Sequence, residues 1–139
     1  MTKKVLVDTG FWIALLTKGD RHHTTALILE EDLATHHLLI PWPTLFEFVD
    51  TRLARNASDG ERLRKILKRD GNELINDLPY RDSSLDFTLG NRGHTFSLVD
   101  HILRSIMEDP EVRIDGFVGF NHGDFHDVCA RRNIEMLPD

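Results

Sequence analysis

Four acids stand where a carboxylate has chemistry to do. Asp8 ends the apolar run Val5-Leu6-Val7, so it is predicted at the carboxyl end of a buried strand, where open α/β sheets place their sites. Glu47 and Asp100 each fall within a helical pattern but off its apolar stripe. At about 100° per residue, Glu47 lies nearly opposite Leu45 and the Phe48-Val49 stripe. Asp100 points away from Leu98, Val99, Ile102, Leu103 and Ile106 and shares its side with Arg104. Asp124 closes the polar stretch Asn121 to Asp124, behind another apolar run. Three of the acids also have a purely structural explanation. Asp8 and Asp124 would cap the helices that follow them, and Asp100 would be a first-turn acid favoured by the helix dipole, with Arg104 as its i,i+4 partner.

Brought together at one end of a sheet, four carboxylates would repel one another unless cations neutralised them. Hard oxygen ligands select Mg²⁺ or Mn²⁺ over zinc. Two such ions about 4 Å apart would activate a water and stabilise the leaving oxygen of an in-line phosphoryl displacement. Periodicity by itself does not establish that the four converge.

The elements that must position these acids alternate in type. Strands are predicted at Lys4–Val7, Leu38–Ile40, Glu73–Leu78, Gly116–Phe120 and Ile134–Leu137. Helices are predicted at Phe11–Leu16, His22–His36 (Ala26, Leu27 and Leu33 inward), Thr44–Arg55, Glu61–Lys68 (Ser58 or Asp59 as cap), Ser83–Arg92, Leu98–Met107 (Ser97 as N-cap) and Phe125–Arg132. Such alternation implies an α/β fold with a mostly parallel sheet covered on both faces. With 139 residues, 40% hydrophobic, a single domain spanning residues 1–139 is expected.

Composition narrows the function classes. One cysteine, Cys129, excludes an internal disulfide framework, and the start MTKKVLVDTG lacks the apolar run of a signal peptide, so a cytoplasmic protein is expected. No stretch approaches the roughly 18 uninterrupted apolar residues of a membrane span. The net charge of -6 argues mildly against a nucleic-acid partner, but carboxylates that hold cations account for part of that count. Basic residues gather at Arg52, Arg55, Arg62, Arg64, Lys65, Lys68 and Arg69, and again at Arg131 and Arg132; a solvated helix face is the plainer account of either group. Eight histidines raise the question of zinc, yet adjacent pairs such as His22-His23 diverge on a helix and no cysteine lies at ligand spacing. No phosphate-binding GxxxxGK[ST] loop or GxSxG elbow is present.

The segments V-L-V-D-T-G, L-F-E-F, F-S-L-V-D-H-I-L and G-F-N-H-G-D-F, in this order and spacing, resemble those of the PIN-domain nucleases, especially VapC-type toxins. D-R-H-H-T-T-A (Asp20 to Ala26) is similar to a D-x-x-H-x-x-A feature of that family, in which His23 would fix helix packing. The resemblance spans almost the whole chain. It implies a three-layer α/β/α sandwich and a Mg²⁺- or Mn²⁺-dependent ribonuclease, often a homodimer with a small antitoxin partner. Asp8, Glu47 and Asp100 would bind metal, Asp124 would complete the site, Thr9 or Ser97 would support it, and Asn121 would offer a further oxygen.

The chain departs from the family pattern in three places. Gly10 replaces a small hydroxyl residue, His101 follows Asp100 where alanine is frequent, and the last motif offers Asn121 and Asp124 instead of two close aspartates. The last departure leaves a non-cleaving PIN-like module that binds RNA or protein as an alternative to the ribonuclease; a metal-dependent DNA nuclease or phosphatase is another, because the chemistry of the acids does not identify the sugar. His101 and His122 are expected near the acids, Cys129 as a buried helical thiol, and Trp12 and Trp42 in the core or on a dimer surface.

Overall fold

Strand β1 (Lys4–Val7) is apolar and buried from Val5 to Val7, as a strand covered on both faces must be. In the computed structural model, which describes residues 1–49, 56–90 and 96–139, it lies at the centre of a five-stranded parallel sheet. The other strands are β2 (His37–Pro41), β3 (Glu73–Ile75), β4 (Gly116–Val118) and β5 (Glu135–Leu137), in the order β3-β2-β1-β4-β5. The chain builds outward from β1 through β2 to β3, then crosses back to lay β4 on the other flank of β1. In register, Val5 faces Leu38 on one side and Gly116 on the other.

Seven helices lie among the described residues: α1 (Thr9–Leu16), α2 (His23–Leu33), α3 (Trp42–Val49), α4 (Ala57–Lys68), α5 (Leu78–Gly90), α6 (Leu98–Glu108) and α7 (His126–Arg132). Because side chains alternate along a strand, the sheet feeds two separate cores. Val5, Val7, Leu38, Ile40 and Val118 meet Phe11, Trp12, Leu15, Leu33, Phe48 and Leu63 of α1 to α4. Leu6, Leu39 and Phe117 turn the other way, onto Ile102, Leu103 and Ile106 of α6 and Phe125, Val128 and Cys129 at α7. The expected α/β/α sandwich is therefore the fold.

Several boundaries differ from the sequence-based expectation, each for a local reason. α1 starts two residues early because the Asp8 carboxylate accepts the Thr9 N–H and caps it. α2 ends at Leu33, and its inward stripe is Ala26, Leu29 and Leu33; Leu27 is exposed. Pro41 ends β2 and α3 begins at once, at Trp42 and not at Thr44, with Pro43 in its first turn, where its missing N–H costs nothing. Asn56, not Ser58 or Asp59, caps α4 by accepting the Asp59 N–H. β3 stops at Ile75 and α5 begins at Leu78, with Pro79 tolerated in its first turn. β4 ends at Val118, two residues short of Phe120. The predicted helix ends at Arg55 and Arg92 lie outside the described residues.

α7 ends with Asn133 in the left-handed region (φ 56), its N–H returning to the Ala130 and Cys129 carbonyls. Glycine carries no Cβ penalty there. Asn133→Gly should therefore stabilise the protein by about 0.5–1 kcal/mol in denaturant unfolding. A loss of stability would mean that the Asn133 side chain, not its backbone angle, holds this end.

Candidate active site

The reversal of strand order between β1 and β4 leaves a crevice at their carboxyl ends, the usual place for a site in an open parallel sheet. Two chain segments leave the sheet there. Asp8 follows β1, its N–H donating to the Val118 carbonyl at 3.0 Å. Gly119 to Asp124 follow β4, with His122–Asp124 forming a 3₁₀ turn. α3 delivers Glu47 and α6 delivers Asp100 to the same edge.

Each acid is held by a neighbour through a hydrogen bond. Thr9 N–H donates to Asp8 Oδ1 at 2.8 Å, and the Thr9 hydroxyl donates to Glu47 Oε1 at 2.6 Å, tying α1 to α3. Ser97 and Asp100 form a reciprocal capping box: Asp100 N–H donates to Ser97 Oγ, and Ser97 N–H to Asp100 Oδ2. Asn121 Nδ2 donates to Asp124 Oδ2 at 2.6 Å. The predicted supporting residues Thr9, Ser97 and Asn121 thus each touch one of the four acids. No side chain caps α7, so Asp124 is not the helix cap that local sequence allows.

Asp8 is the buried member, with 7% of its surface exposed. Burial pushes its carboxyl up to about 7; the Thr9 N–H works against this, and the charges of Asp100, Glu47 and Asp124 add to it. Burial likewise raises Asp100, against its hydrogen bonds with Ser97 and with a contribution from Asp124. Three acids from three other elements therefore act on Asp8 electrostatically, and the structure brings the four predicted residues to one edge. The donor set is all oxygen and mutually repulsive, which fits a hard divalent cation. Among the described residues, no three His, Cys, Asp or Glu side chains close on one point.

Gly119 was not singled out from sequence. A Cβ there would stand 3.0 Å from the Asp8 Cβ and 3.3 Å from Oδ2, so its bare backbone makes room for the buried carboxylate. The only hint in the sequence is a glycine directly after an apolar run. At Gly10, where the family pattern has a hydroxyl residue, a Cβ would meet nothing. Glycine is not required there.

Other expected neighbours are occupied elsewhere. His101 Nδ1 lies 2.9 Å from the Ser84 hydroxyl and its ring stacks on Phe87, facing α5. His122 Nε2–H donates to the Gly119 carbonyl, bracing the loop between β4 and α7. His23 does fix helix packing, its Nδ1–H donating to the Ala14 carbonyl at 2.8 Å. Cys129 is buried and its thiol pushed up to about 11, which disfavours a nucleophilic role. Trp12 is core and Trp42 is exposed. Of the basic groups, Arg62 pairs with Glu30, Arg69 with the Leu33 and His36 carbonyls, and Arg131 with Glu108; Arg52 and Arg55 lie outside the described residues. Arg104 pairs with Asp127, not with Asp100 as helical spacing suggests.

The order of strands, the two helical layers and the position of the acid edge define a PIN-type α/β/α sandwich. No family model and no curated protein matches the chain. Among solved structures, VapC20 of Mycobacterium tuberculosis, a sarcin–ricin loop cleaving toxin, shares this fold. Its TM-score is 0.70, over 88% of this chain and 94% of that one, at 18% sequence identity.

A raised carboxyl pKa favours the fold with that carboxyl protonated. In the metal-free protein the contribution of Asp8 to stability is therefore fully present below the ordinary carboxyl value of 3.8 and is lost as pH climbs to about 7. Asp8→Asn keeps the cap and removes the charge. In chelator, the stability gain of Asp8→Asn over the native chain should grow between pH 4 and pH 7.5, to on the order of 4 kcal/mol. Urea midpoints across that range would measure it, and a pH-independent gain would remove the charge explanation.

Proposed function

We propose that this chain is a single-domain, Mg²⁺- or Mn²⁺-dependent endoribonuclease, the toxin of a toxin–antitoxin pair acting in the cytoplasm. Asp8, Glu47, Asp100 and Asp124 are its metal-binding acids, with Thr9, Ser97 and Asn121 in support. The observation that carries this reading is the charge of Asp100, Glu47 and Asp124 felt at a buried Asp8, on the acid edge of a fold shared with an RNA-cleaving toxin.

When bound, the ion would acidify a water and offset the charge that develops on the phosphate. The chain's own contribution is position. Thr9 holds Glu47 beside Asp8, the capping box holds Asp100 at the start of α6, and Asn121 aims Asp124. Asn121 thus serves through its amide N–H on Asp124, more than through its oxygen. Burial of Asp8 keeps water from screening the charges there. Glu47, Asp100 and Asp124 are more open, which admits a phosphodiester at the edge.

Beside Glu47 runs a groove of about 740 Å³, apolar along Phe46, Leu85, Leu98 and Ile102 and charged at Asp77, Arg81 and Asp82. A small antitoxin would seat an apolar segment there and cover the approach to the acids. A homodimer is proposed from the family resemblance. No helix among the described residues is long and apolar enough to cross a membrane.

Cleavage should require added Mg²⁺ or Mn²⁺, stop with EDTA, and disappear in Asp100→Asn while circular dichroism shows an intact fold. A sarcin–ricin loop oligonucleotide, the target named for VapC20, is the first RNA to try beside unstructured RNA and DNA. Undiminished cutting in EDTA would exclude the metal mechanism. RNA binding without cutting at any metal concentration would instead favour a binding module, and cutting of DNA alone the deoxyribonuclease.

The fourth acid can be tested separately. Asp124→Asn should cost roughly a hundredfold in rate at limiting Mg²⁺, and Asn121→Ala only about tenfold, since the first loses a ligand and the second an orienting bond. The reverse ranking in a Mg²⁺ titration would assign the ligand to the amide.

A further inference from the structure

Asp100 and Asp124 come from elements that the sheet does not join: one opens α6, the other ends the 3₁₀ turn after β4. What spans them is Arg104, one turn after Asp100 on the same side of α6. Its Nη1 donates to the main-chain carbonyl of Asp124 at 2.8 Å. Nη1 and Nη2 also grip both carboxylate oxygens of Asp127, in the first turn of α7, at 2.6 and 2.7 Å. The guanidinium lies 4.5 Å from the centre of the Phe96 ring, just before the Ser97 cap, and only 16% of the side chain is exposed. One planar group thus touches the approach to α6, the 3₁₀ turn and the start of α7.

We propose that Arg104 is the positioning residue that sets the spacing of Asp100 and Asp124, and hence the affinity of the site for a divalent cation. It does not face the reacting atoms. By holding the Asp124 backbone against α6 it keeps two carboxylates close that would otherwise separate, because with no ion present they repel. Its positive charge acts on Asp124, and the fork to Asp127 locks its own geometry. Lysine cannot reproduce such a three-way contact, since an ammonium lacks the planar fork.

This inference rests on the metal-dependent reading above, so its test measures the ion directly. Mn²⁺ is titrated calorimetrically into the full chain and into Arg104→Gln, Arg104→Lys and Asp127→Asn, with thermal unfolding in EDTA to confirm each fold. Arg104→Gln should weaken Mn²⁺ binding by roughly ten- to a hundredfold, as loss of a partner that orients a ligand does. Arg104→Lys should recover only part of the loss. Asp127→Asn, which keeps the bond to the Asp124 carbonyl, should lose least. In RNA cleavage the same order should appear as a higher metal requirement, with the rate restored at saturating Mn²⁺. If the native chain fails to bind Mn²⁺, the metal-dependent reading itself falls. If the native chain binds and a folded Arg104→Gln binds equally well, the positioning role is overturned. Should Arg104→Gln not fold, unchanged affinity in a folded Arg104→Lys overturns it equally.

Discussion

A buried carboxylate facing three others is the constraint around which this fold is arranged. Asp8 cannot leave the edge, because its own N–H completes the pairing of β1 with β4 and its side chain caps α1. Nor is it comfortable there: burial and the charges of Asp100, Glu47 and Asp124 all favour its neutral form. Most of the polar detail nearby serves to hold acids where repulsion would move them. The Thr9 hydroxyl, the Ser97 capping box, the Asn121 amide and the bare backbone of Gly119 each act on one carboxylate.

Such strain is sustained by two large cores. On either side of the sheet, fully buried Trp12, Phe11 and Phe48, and Phe117, Phe125 and Leu103, bind the helical layers to the strands. Burying a side chain of this size contributes about 2 kcal/mol, so several such residues outweigh the cost of one ill-placed charge. The same rigidity lets hydrogen bonds of a few residues set the site's geometry. α6 carries both roles: Ile102, Leu103 and Ile106 anchor it, while Asp100 stands at the edge and Arg104 reaches the turn that carries Asp124.

Net charge becomes intelligible in this light. A chain at -6 is an unexpected partner for a polyanion, and the basic residues that are described are mostly engaged in ion pairs or in holding carbonyls. Under the proposed function, the features suited to phosphate are instead the clustered acids together with the cations they would hold. Wherever the acids concentrate, hydrogen-bond donors from the backbone or from small polar side chains accompany them, which limits repulsion in the protein alone.

Much of this was legible in the residues. The strand ending at Asp8, the off-stripe positions of Glu47 and Asp100, the Ser97 cap and the alternation that implies a parallel sheet all follow from local periodicity and capping chemistry, which act over a few neighbouring residues. Boundaries were less legible where proline was involved, because Pro43 and Pro79 are as compatible with a first helical turn as with a break. What the sequence by itself determined is therefore the type of most elements and the side of each helix that carries an acid. Only the tertiary structure decided that the four acids share one edge of the sheet, that Gly119 clears space for Asp8, that His101 turns away to α5, and that Arg104 reaches Asp124 and Asp127 rather than Asp100. These are contacts between residues far apart in the chain, and their geometry depends on strand order, which no local pattern encodes.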